Sequence, residues 1–325
     1  MDTAGFLRWN DGVLTVEAKL MSIGRFVAVA VLCFVLCGGG ISQEHPTAPL
    51  DVVAVEAKAS QGDTAAMVQL GRAYWGGQGV TVDIEKGRVW LDRAAEKGSL
   101  DAQMLLGMAY FSGAKLPKDP QLASKYLLRA AQQEHVDSSL QSSQALAQYF
   151  IASMYEQGRG LEKSHDKAIQ FLQLAANNGS PAAQFDLAAL YNDGSGGISV
   201  DKVRACQLFQ KAADQGYVKA MHNVGYCYQV GIGSKKDDGK AVEYYTKAAE
   251  GGSTRSQRNL GILFGQLGQA EKAYFWLRVA ESSGDTDEKS KSFIATAKEH
   301  LTASQVEQQE KEVLEWLNAH KANRQ

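Results

Sequence analysis

Leu70-Gly71-Arg72-Ala73-Tyr74 is a short motif that returns, with variation, five more times along the 325 residues and thereby indicates the fold. The later copies begin at Leu106, Ile151, Leu187, Val224 and Leu260, and their aromatic residue recurs at steps of 36, 45, 36, 37 and 36 residues. A second block, Trp90-Leu91-Asp92-Arg93-Ala94-Ala95, keeps the same phase and begins again at Tyr126, Phe171, Leu208, Tyr244 and Trp276. Self-similarity at a nearly constant period predicts tandem structural repeats.

Each repeat should contain two helices joined by a glycine-rich turn. The leucine and the aromatic residue of the first block are four positions apart, which places both on one helix face. Glycines such as Gly77 and Gly231 end the first helix, and a carboxylate near the start of the second helix can cap its free amides, as at Asp83, Asp119 and Asp201. One such hairpin cannot bury its apolar face alone, so six of them should stack, with the first helices on the concave side.

Atypical segments flank the six repeats, which occupy residues 62–285. Residues 50–61 predict a lone amphipathic helix that caps the first repeat, and residues 286–321 predict two helices that cap the last one. The third repeat carries nine extra residues in the serine-rich stretch 136–144, and the sixth loop, 265–269, is about five residues short. We therefore expect an all-α fold with local distortion in those two repeats.

The N-terminal segment has the order of a secretory signal peptide at residues 21–42. A short basic region from Met21 to Arg25 precedes the apolar run 26–37, and small residues follow it, which would allow cleavage before Gln43. Residues 1–20 fit neither signal nor repeat, which indicates that translation starts at Met21. We expect a periplasmic or secreted protein, and the alternative is an uncleaved segment that anchors the chain to the inner membrane.

Four cysteines divide between the signal and the repeats. Cys33 and Cys37 lie inside the predicted signal peptide, so the mature chain keeps Cys206 and Cys227. Both occupy apolar positions of adjacent predicted helices, and the predicted compartment is oxidising. A single disulfide and a pair of buried thiols are both compatible with the sequence.

The recurring patterns also carry a resemblance to a known family. The chain repeats A-x-x-x-L-G-x-x-Y, a G-x-G-V loop, D-x-x-K-A and K-A-A-x-x-G in phase over about residues 62–285. This combination resembles the Sel1-like repeat, a relative of the tetratricopeptide repeat with a longer loop. The resemblance implies a right-handed α-solenoid whose concave groove binds a protein or peptide partner.

By analogy with tetratricopeptide repeats, the register directs particular side chains of the first helices into that groove. They are Arg72, Trp75, Met104, Met108, Phe111, Tyr149, Phe185, Tyr226, Arg255 and Arg258. Methionines and aromatic residues in the first two repeats would form a floor for an apolar or helical segment. Lys219, Arg255 and Arg258 would hold an acidic group or a C-terminal carboxylate. The alternative is that these side chains pack helix against helix.

Residues that carry catalysis or bind metals form no recognisable set. Six histidines are scattered without zinc-ligand spacing, and the chain has neither a phosphate-binding loop nor a G-x-S-x-G motif. A formal net charge of −2 without a basic block argues against nucleic acid. We expect no cofactor, no metal and no nucleic-acid partner.

One short motif still points to an enzyme. Ser112-Gly113-Ala114-Lys115 matches the S-x-x-K signature of serine acylases, and some cysteine-rich members of the Sel1-like family have been linked to β-lactam binding or cleavage. The match falls in an inter-helix loop rather than at a helix start, and the regular cysteine pairs of those members are missing.

Three functions follow from these observations. The sequence favours a non-enzymatic scaffold or adaptor of the cell envelope that binds a protein or peptide partner and touches a membrane only through an uncleaved N-terminal segment. The alternative is a secreted host-interaction factor that serves virulence or colonisation. A β-lactam- or peptidoglycan-acting enzyme is the third.

Overall fold

A computed structural model describes residues 50–320, in which fifteen α-helices and two 3₁₀ turns account for the regular structure and no strand occurs. The helices are α1 Val52–Ser60, α2 Thr64–Gly76, α3 Ile84–Glu96, α4 Leu100–Ser112, α5 Pro120–Ala131, α6 Gln141–Gln157, α7 His165–Asn177, α8 Pro181–Asp193, α9 Lys202–Asp214, α10 Val218–Val230, α11 Asp238–Glu250, α12 Thr254–Gln266, α13 Ala270–Ser282, α14 Glu288–Glu299 and α15 Ala303–Ala319. The predicted signal peptide at 21–42 and the segment 1–20 lie outside the described residues.

Consecutive helices from α2 to α13 pair as six helix-turn-helix repeats, which confirms the predicted all-α fold of six repeats. α1 precedes the repeats, and α14 and α15 follow them. The extra residues of the third repeat form the 3₁₀ turn Ser138–Leu140 and lengthen α6 to 17 residues. Within residues 50–320, none of the helices has the length and apolarity needed to cross a bilayer.

The helix ends follow the predicted chemistry. Gly77 and Gly113 end α2 and α4 in the left-handed region, with φ of 73° and 77°, which a side chain would strain. Asp83, Asp119 and Asp201 each accept a hydrogen bond at 2.9 Å from the backbone N–H three residues further on. These carboxylates satisfy amides that have no partner within the helix and so fix where each second helix begins.

The small residue inside the first block sets how closely the two helices of a repeat approach. A Cβ atom added to Gly107 would lie 2.7 Å from Leu127 Cγ, and one added to Gly225 would lie 2.7 Å from Tyr245 Cδ1. Both distances are far below van der Waals contact, so the second helix lies directly on the glycine. Leu127 and Tyr245 are fully buried there.

A cation of the second helix lies over the aromatic ring of the first helix in most repeats. Lys86 Nζ lies 5.6 Å from the centre of the Tyr74 ring, and Lys240 Nζ lies 5.0 Å from that of Tyr228. Contacts of this kind contribute about 0.5–1 kcal/mol each at exposed sites. They explain why the lysine of D-x-x-K and the tyrosine of L-G-x-x-Y recur together.

The chain forms two compact units, the first ending at Asp186 and the second beginning at Leu187. In the second unit, the last repeats share a buried core with the C-terminal helices, to which Ala297 of α14 and Val313 of α15 contribute. Trp316 of α15 meets Trp276 of α13 edge to face, with ring centres 5.5 Å apart. Helices α14 and α15 therefore cover the apolar surface of α13 on which another repeat would otherwise pack.

Candidate interaction surfaces

The apolar floor predicted for the first two repeats is closed. Met104 and Met108 are 0% exposed, and every residue of α4 from Ala102 to Phe111 is buried. The physical reason is that α3, α5 and the lengthened α6 enclose α4. Phe111 packs edge to face on Phe150 of α6, with ring centres 5.6 Å apart. The prediction that these side chains offer an open surface is therefore wrong, and they pack helix against helix.

In the first and third repeats, the residue after the recurring tyrosine contacts the start of the second helix of its own repeat rather than facing a groove. Trp75 is 7% exposed, and its Nε1–H donates to the Ile84 carbonyl at 3.0 Å. Its ring lies over Gly87, where an added Cβ would approach within 2.3 Å. In the third repeat Glu156 holds His165 Nδ1 at 2.8 Å over the same nine-residue spacing. Trp75 thus closes a loop, which corrects its assignment to the groove.

Two polar side chains predicted to line the groove form a hydrogen bond or ion pairs within the chain. Tyr149 is 5% exposed and donates its hydroxyl to Asp186 Oδ2 at 2.7 Å. Arg258 Nη1 contacts Asp285 Oδ1 at 3.3 Å and Asp287 Oδ2 at 3.0 Å. Because two carboxylates already neutralise Arg258, the prediction that it holds a partner carboxylate is corrected to a structural role at the end of the last repeat.

In the first unit, the accessible first-helix surface is a cleft of about 570 Å³ beside α2. Arg72 lines it with a side chain that is 33% exposed, and its Nη2 lies 3.8 Å from Asp101 Oδ2. Leu140, which belongs to the extra residues of the third repeat, also lines this cleft. Arg72 therefore lies on an accessible face, and its contact with a partner stays a prediction; the sequence gave no sign of the cleft wall that the insertion supplies.

In the second unit, the first helices α10 and α12 keep an accessible face, which we call the α10–α12 surface. Arg255, Asn259 and Ile262 follow one another at helical spacing on α12, and His222 and Tyr226 do so on α10. All five side chains are exposed or half-buried. Phe185, the remaining groove candidate, is half-buried at α8 in the first unit.

His222 joins the two helices of this surface. Its Nδ1 lies 2.9 Å from Ser256 Oγ on α12. Burial, together with the nearby charges of Arg255 and Arg258, lowers the pKa of His222 to about 3. The imidazole is therefore neutral at physiological pH, and the positive charge of the surface belongs to the arginines. Among residues 50–320 Arg255 forms no ion pair, so its charge faces solvent.

The two serines that could suggest catalysis are held in structural hydrogen bonds. Ser112 ends α4 and donates its hydroxyl to the Met108 carbonyl at 2.9 Å, while Lys115 Nζ donates to the Trp75 carbonyl at 2.8 Å. Ser256, beside His222, is 0% exposed. Neither arrangement presents an activated hydroxyl to a substrate. Across the described part of the chain, no three His, Cys, Asp or Glu side chains converge to hold a metal ion.

The structure joins Cys206 of α9 to Cys227 of α10 in a disulfide, with Cα atoms 6.0 Å apart. The sequence allowed either this bond or two buried thiols. The bond links the second helix of the fourth repeat to the first helix of the fifth, so it lies between repeats and not within one.

A recurring glutamine that the sequence analysis missed connects successive repeats. Its Nε2–H donates to the carbonyl of the second alanine in the preceding Ala-Ala pair. The pairs are Gln103 with Ala95 at 3.1 Å, Gln148 with Ala131 at 3.1 Å, Gln184 with Ala176 at 3.2 Å and Gln257 with Ala249 at 3.3 Å. The glutamine always stands three positions before the leucine or isoleucine of the first block, so the phase of the repeat could have revealed it.

Six helix-turn-helix units in tandem define an α-solenoid repeat protein, a class that acts through its surfaces. The chain belongs to the Sel1 repeat family: the Sel1 repeat model matches residues 64–99, 100–135, 145–180, 181–217, 218–253 and 254–285. Sel1 repeat proteins generally mediate protein–protein interactions.

Similar proteins come from distant organisms. Cytochrome c oxidase assembly factor 7 of Homo sapiens is 35% identical over 112 residues, which cover 32% of this chain and 48% of that protein. DAP3-binding cell death enhancer 1 of Rattus norvegicus is 30% identical over 103 residues, 32% of this chain and 20% of that protein. The crystal structure of a Sel1 repeat protein from Oxalobacter formigenes matches 86% of this chain and 79% of its own, with 26% identity and a TM-score of 0.55. This chain therefore spans half or less of these two sequence relatives.

Proposed function

We propose that the chain is a non-enzymatic scaffold of the cell envelope that binds an acidic segment of a protein partner on the α10–α12 surface. The observation that carries the proposal is the contrast between the second repeat and the fifth and sixth repeats. The groove positions of the second repeat are buried, whereas Tyr226, Arg255 and Ile262 of the fifth and sixth repeats are accessible. An aromatic ring, an apolar side chain and an unpaired guanidinium on one face can anchor an acidic peptide that carries an apolar residue.

The relatives support an interaction role. One relative is named for binding DAP3, and another is named as an assembly factor. Both names describe proteins that act on other proteins. No enzymatic family is indicated by the comparisons.

The compartment is part of the proposal. Residues 21–42 carry the sequence pattern of an export signal, and disulfides such as Cys206–Cys227 persist in oxidising compartments. Fractionation of cells that produce the chain with and without residues 21–42 tests it. We expect the full chain outside the cytoplasm and the shortened chain inside it. Protein in the culture medium would favour the host-interaction alternative, and cytoplasmic location of both forms would contradict export.

Site-specific photocrosslinking tests the binding surface. A photoreactive residue at Gln266, which is exposed one helical turn beyond Ile262, should capture one partner in cells, and Arg255→Glu should abolish that adduct. The matched control is Arg129→Glu, an exposed arginine on a second helix of the first unit. Retention of the adduct in Arg255→Glu, with unchanged circular dichroism, would refute the assignment of the surface.

A further inference from the structure

Side-chain hydrogen bonds of two kinds, here called the polar links, recur at the junctions between consecutive repeats, and one junction lacks both kinds. The first link is a serine that caps the next first helix within its own repeat: Ser99 accepts from Ala102 N at 3.3 Å and Ser253 accepts from Ser256 N at 3.2 Å. The second link is the glutamine bond to the preceding repeat. Both links are present at the junctions of repeats one and two, three and four, and five and six.

The junction of the fourth and fifth repeats differs at both positions. Tyr217 stands at the cap position of α10 and forms no side-chain cap hydrogen bond. Met221 stands where the second, third, fourth and sixth repeats have glutamine, and its side chain has no N–H to donate to the Ala213 carbonyl. The Gly-Ser-x-x-Ala-Gln pattern of residues 179–184 is replaced here by Gly-Tyr-Val-Lys-Ala-Met.

The disulfide lies at this same junction. Cys206 and Cys227 connect α9 to α10, the two helices between which the glutamine bond is missing. Cys227 is buried, whereas Cys206 is half-buried and is the sulfur that a small thiol reaches first. These two are the only cysteines among residues 50–320.

We propose that the Cys206–Cys227 disulfide replaces the two missing polar links, so that the junction of the fourth and fifth repeats is a redox-controlled joint. With the bond intact, α9 and α10 separate no more readily than the helices at the neighbouring junctions. With the bond reduced, α10 and the helices after it separate from α9 more readily than any other pair of consecutive repeats in the second unit.

The redox step needs only a dithiol. A thiolate of dithiothreitol attacks Cys206 Sγ, the Cys206–Cys227 bond breaks, and Cys227 leaves as a thiolate that takes up a proton. The second thiol of the reagent then attacks the mixed disulfide and releases Cys206. The protein gains two electrons and two protons, and dithiothreitol becomes its cyclic disulfide.

Hydrogen exchange of the wild-type chain before and after reduction tests the proposal without any substitution. A disulfide that closes a loop of this length reduces local opening on the order of a hundredfold. We expect amide exchange in α10 to accelerate by about that factor on reduction, while exchange in α4, at a junction with both polar links, changes less than about twofold. Equal acceleration in α4 and α10, or an unchanged rate in α10, would overturn the proposal.

A second experiment asks whether the polar links and the disulfide are interchangeable. In the Cys206→Ala/Cys227→Ala background, Tyr217→Ser together with Met221→Gln should slow exchange in α10 by roughly tenfold, because one serine cap and one buried hydrogen bond are restored. Met67→Gln is the matched control, since Met67 occupies the same repeat position next to α1. Failure of the double substitution to slow exchange in α10, or an equal effect of Met67→Gln, would contradict the replacement.

Discussion

Replacing Gln148 by methionine should loosen the junction of the second and third repeats. Gln148 is 3% exposed; its Nε2–H donates to the Ala131 carbonyl at 3.1 Å, and its Oε1 accepts from Asn178 Nδ2 at 2.9 Å. Methionine has a similar shape and occurs naturally at this repeat position in Met67 and Met221, so the substitution removes hydrogen bonds without overpacking the site.

The expected cost follows from the groups that lose a partner. A buried carbonyl left unsatisfied costs about 1–3 kcal/mol, and the Asn178 amide, which is half-buried and can turn toward water, loses a bond worth about 0.5–1.5 kcal/mol. The sum is about 1.5–4.5 kcal/mol, which corresponds to exchange of the α6 amides that is roughly 10- to 2,000-fold faster.

Native-state hydrogen exchange is the assay, because repeat proteins open locally. A single midpoint of thermal or urea unfolding would average the stability of all the junctions. Gln132→Met is the control; Gln132 is exposed at the end of α5, so the same substitution there should change the exchange of α6 by no more than about twofold. If Gln148→Met changes the exchange of α6 no more than Gln132→Met does, the bond to Ala131 does not hold the junction and the reasoning fails.

Two further substitutions test packing and charge. Gly107→Ala should destabilise the second repeat by about 1–3 kcal/mol, because the new Cβ would lie 2.7 Å from Leu127 Cγ. Gly265→Ala, whose Cβ would meet nothing closer than 3.8 Å, should be neutral or slightly stabilising; urea unfolding compares the two, and equal losses would contradict the packing argument. The Arg278 guanidinium holds the pKa of Glu310 below its ordinary value of 4.5, so this pair stabilises the docking of α15 above that pH and loses its contribution as the pH falls through the lowered value. Trp316 fluorescence should report acid-induced release of α15, and Glu310→Gln should weaken that pH dependence; an identical pH profile would contradict the pair's role.

Most of the fold could be predicted from the repeat period. Leucine and aromatic residues recurring in phase predicted the paired helices, because burial of one helix face on its neighbour depends on local spacing alone. The same phase predicted Asp83 and Asp119 as caps. Helix pairing and capping are short-range, so a single sequence is sufficient to locate them.

Exposure of the groove positions could not be predicted in this way. Met104 and Tyr226 were both predicted to face the groove from a first helix. Met104 is fully buried and Tyr226 is accessible, because the enclosure of a first helix depends on helices from other repeats. The insertion at 136–144 was visible, but its effect on the cleft beside α2 depends on where Leu140 comes to lie. The recurring glutamine was also visible in the sequence, but its role could not be predicted from it, because the carbonyl that it satisfies becomes buried only when repeats stack.

Binding of an acidic partner segment to the α10–α12 surface can be measured by isothermal titration of the crosslinked partner, once purified, against wild-type protein, Arg255→Glu and Arg129→Glu. We expect at least tenfold weaker binding for Arg255→Glu, unchanged binding for Arg129→Glu, and recovery of binding when the contacting acid of the partner is changed to lysine. Equal affinity of all three proteins would show that the partner does not bind through Arg255.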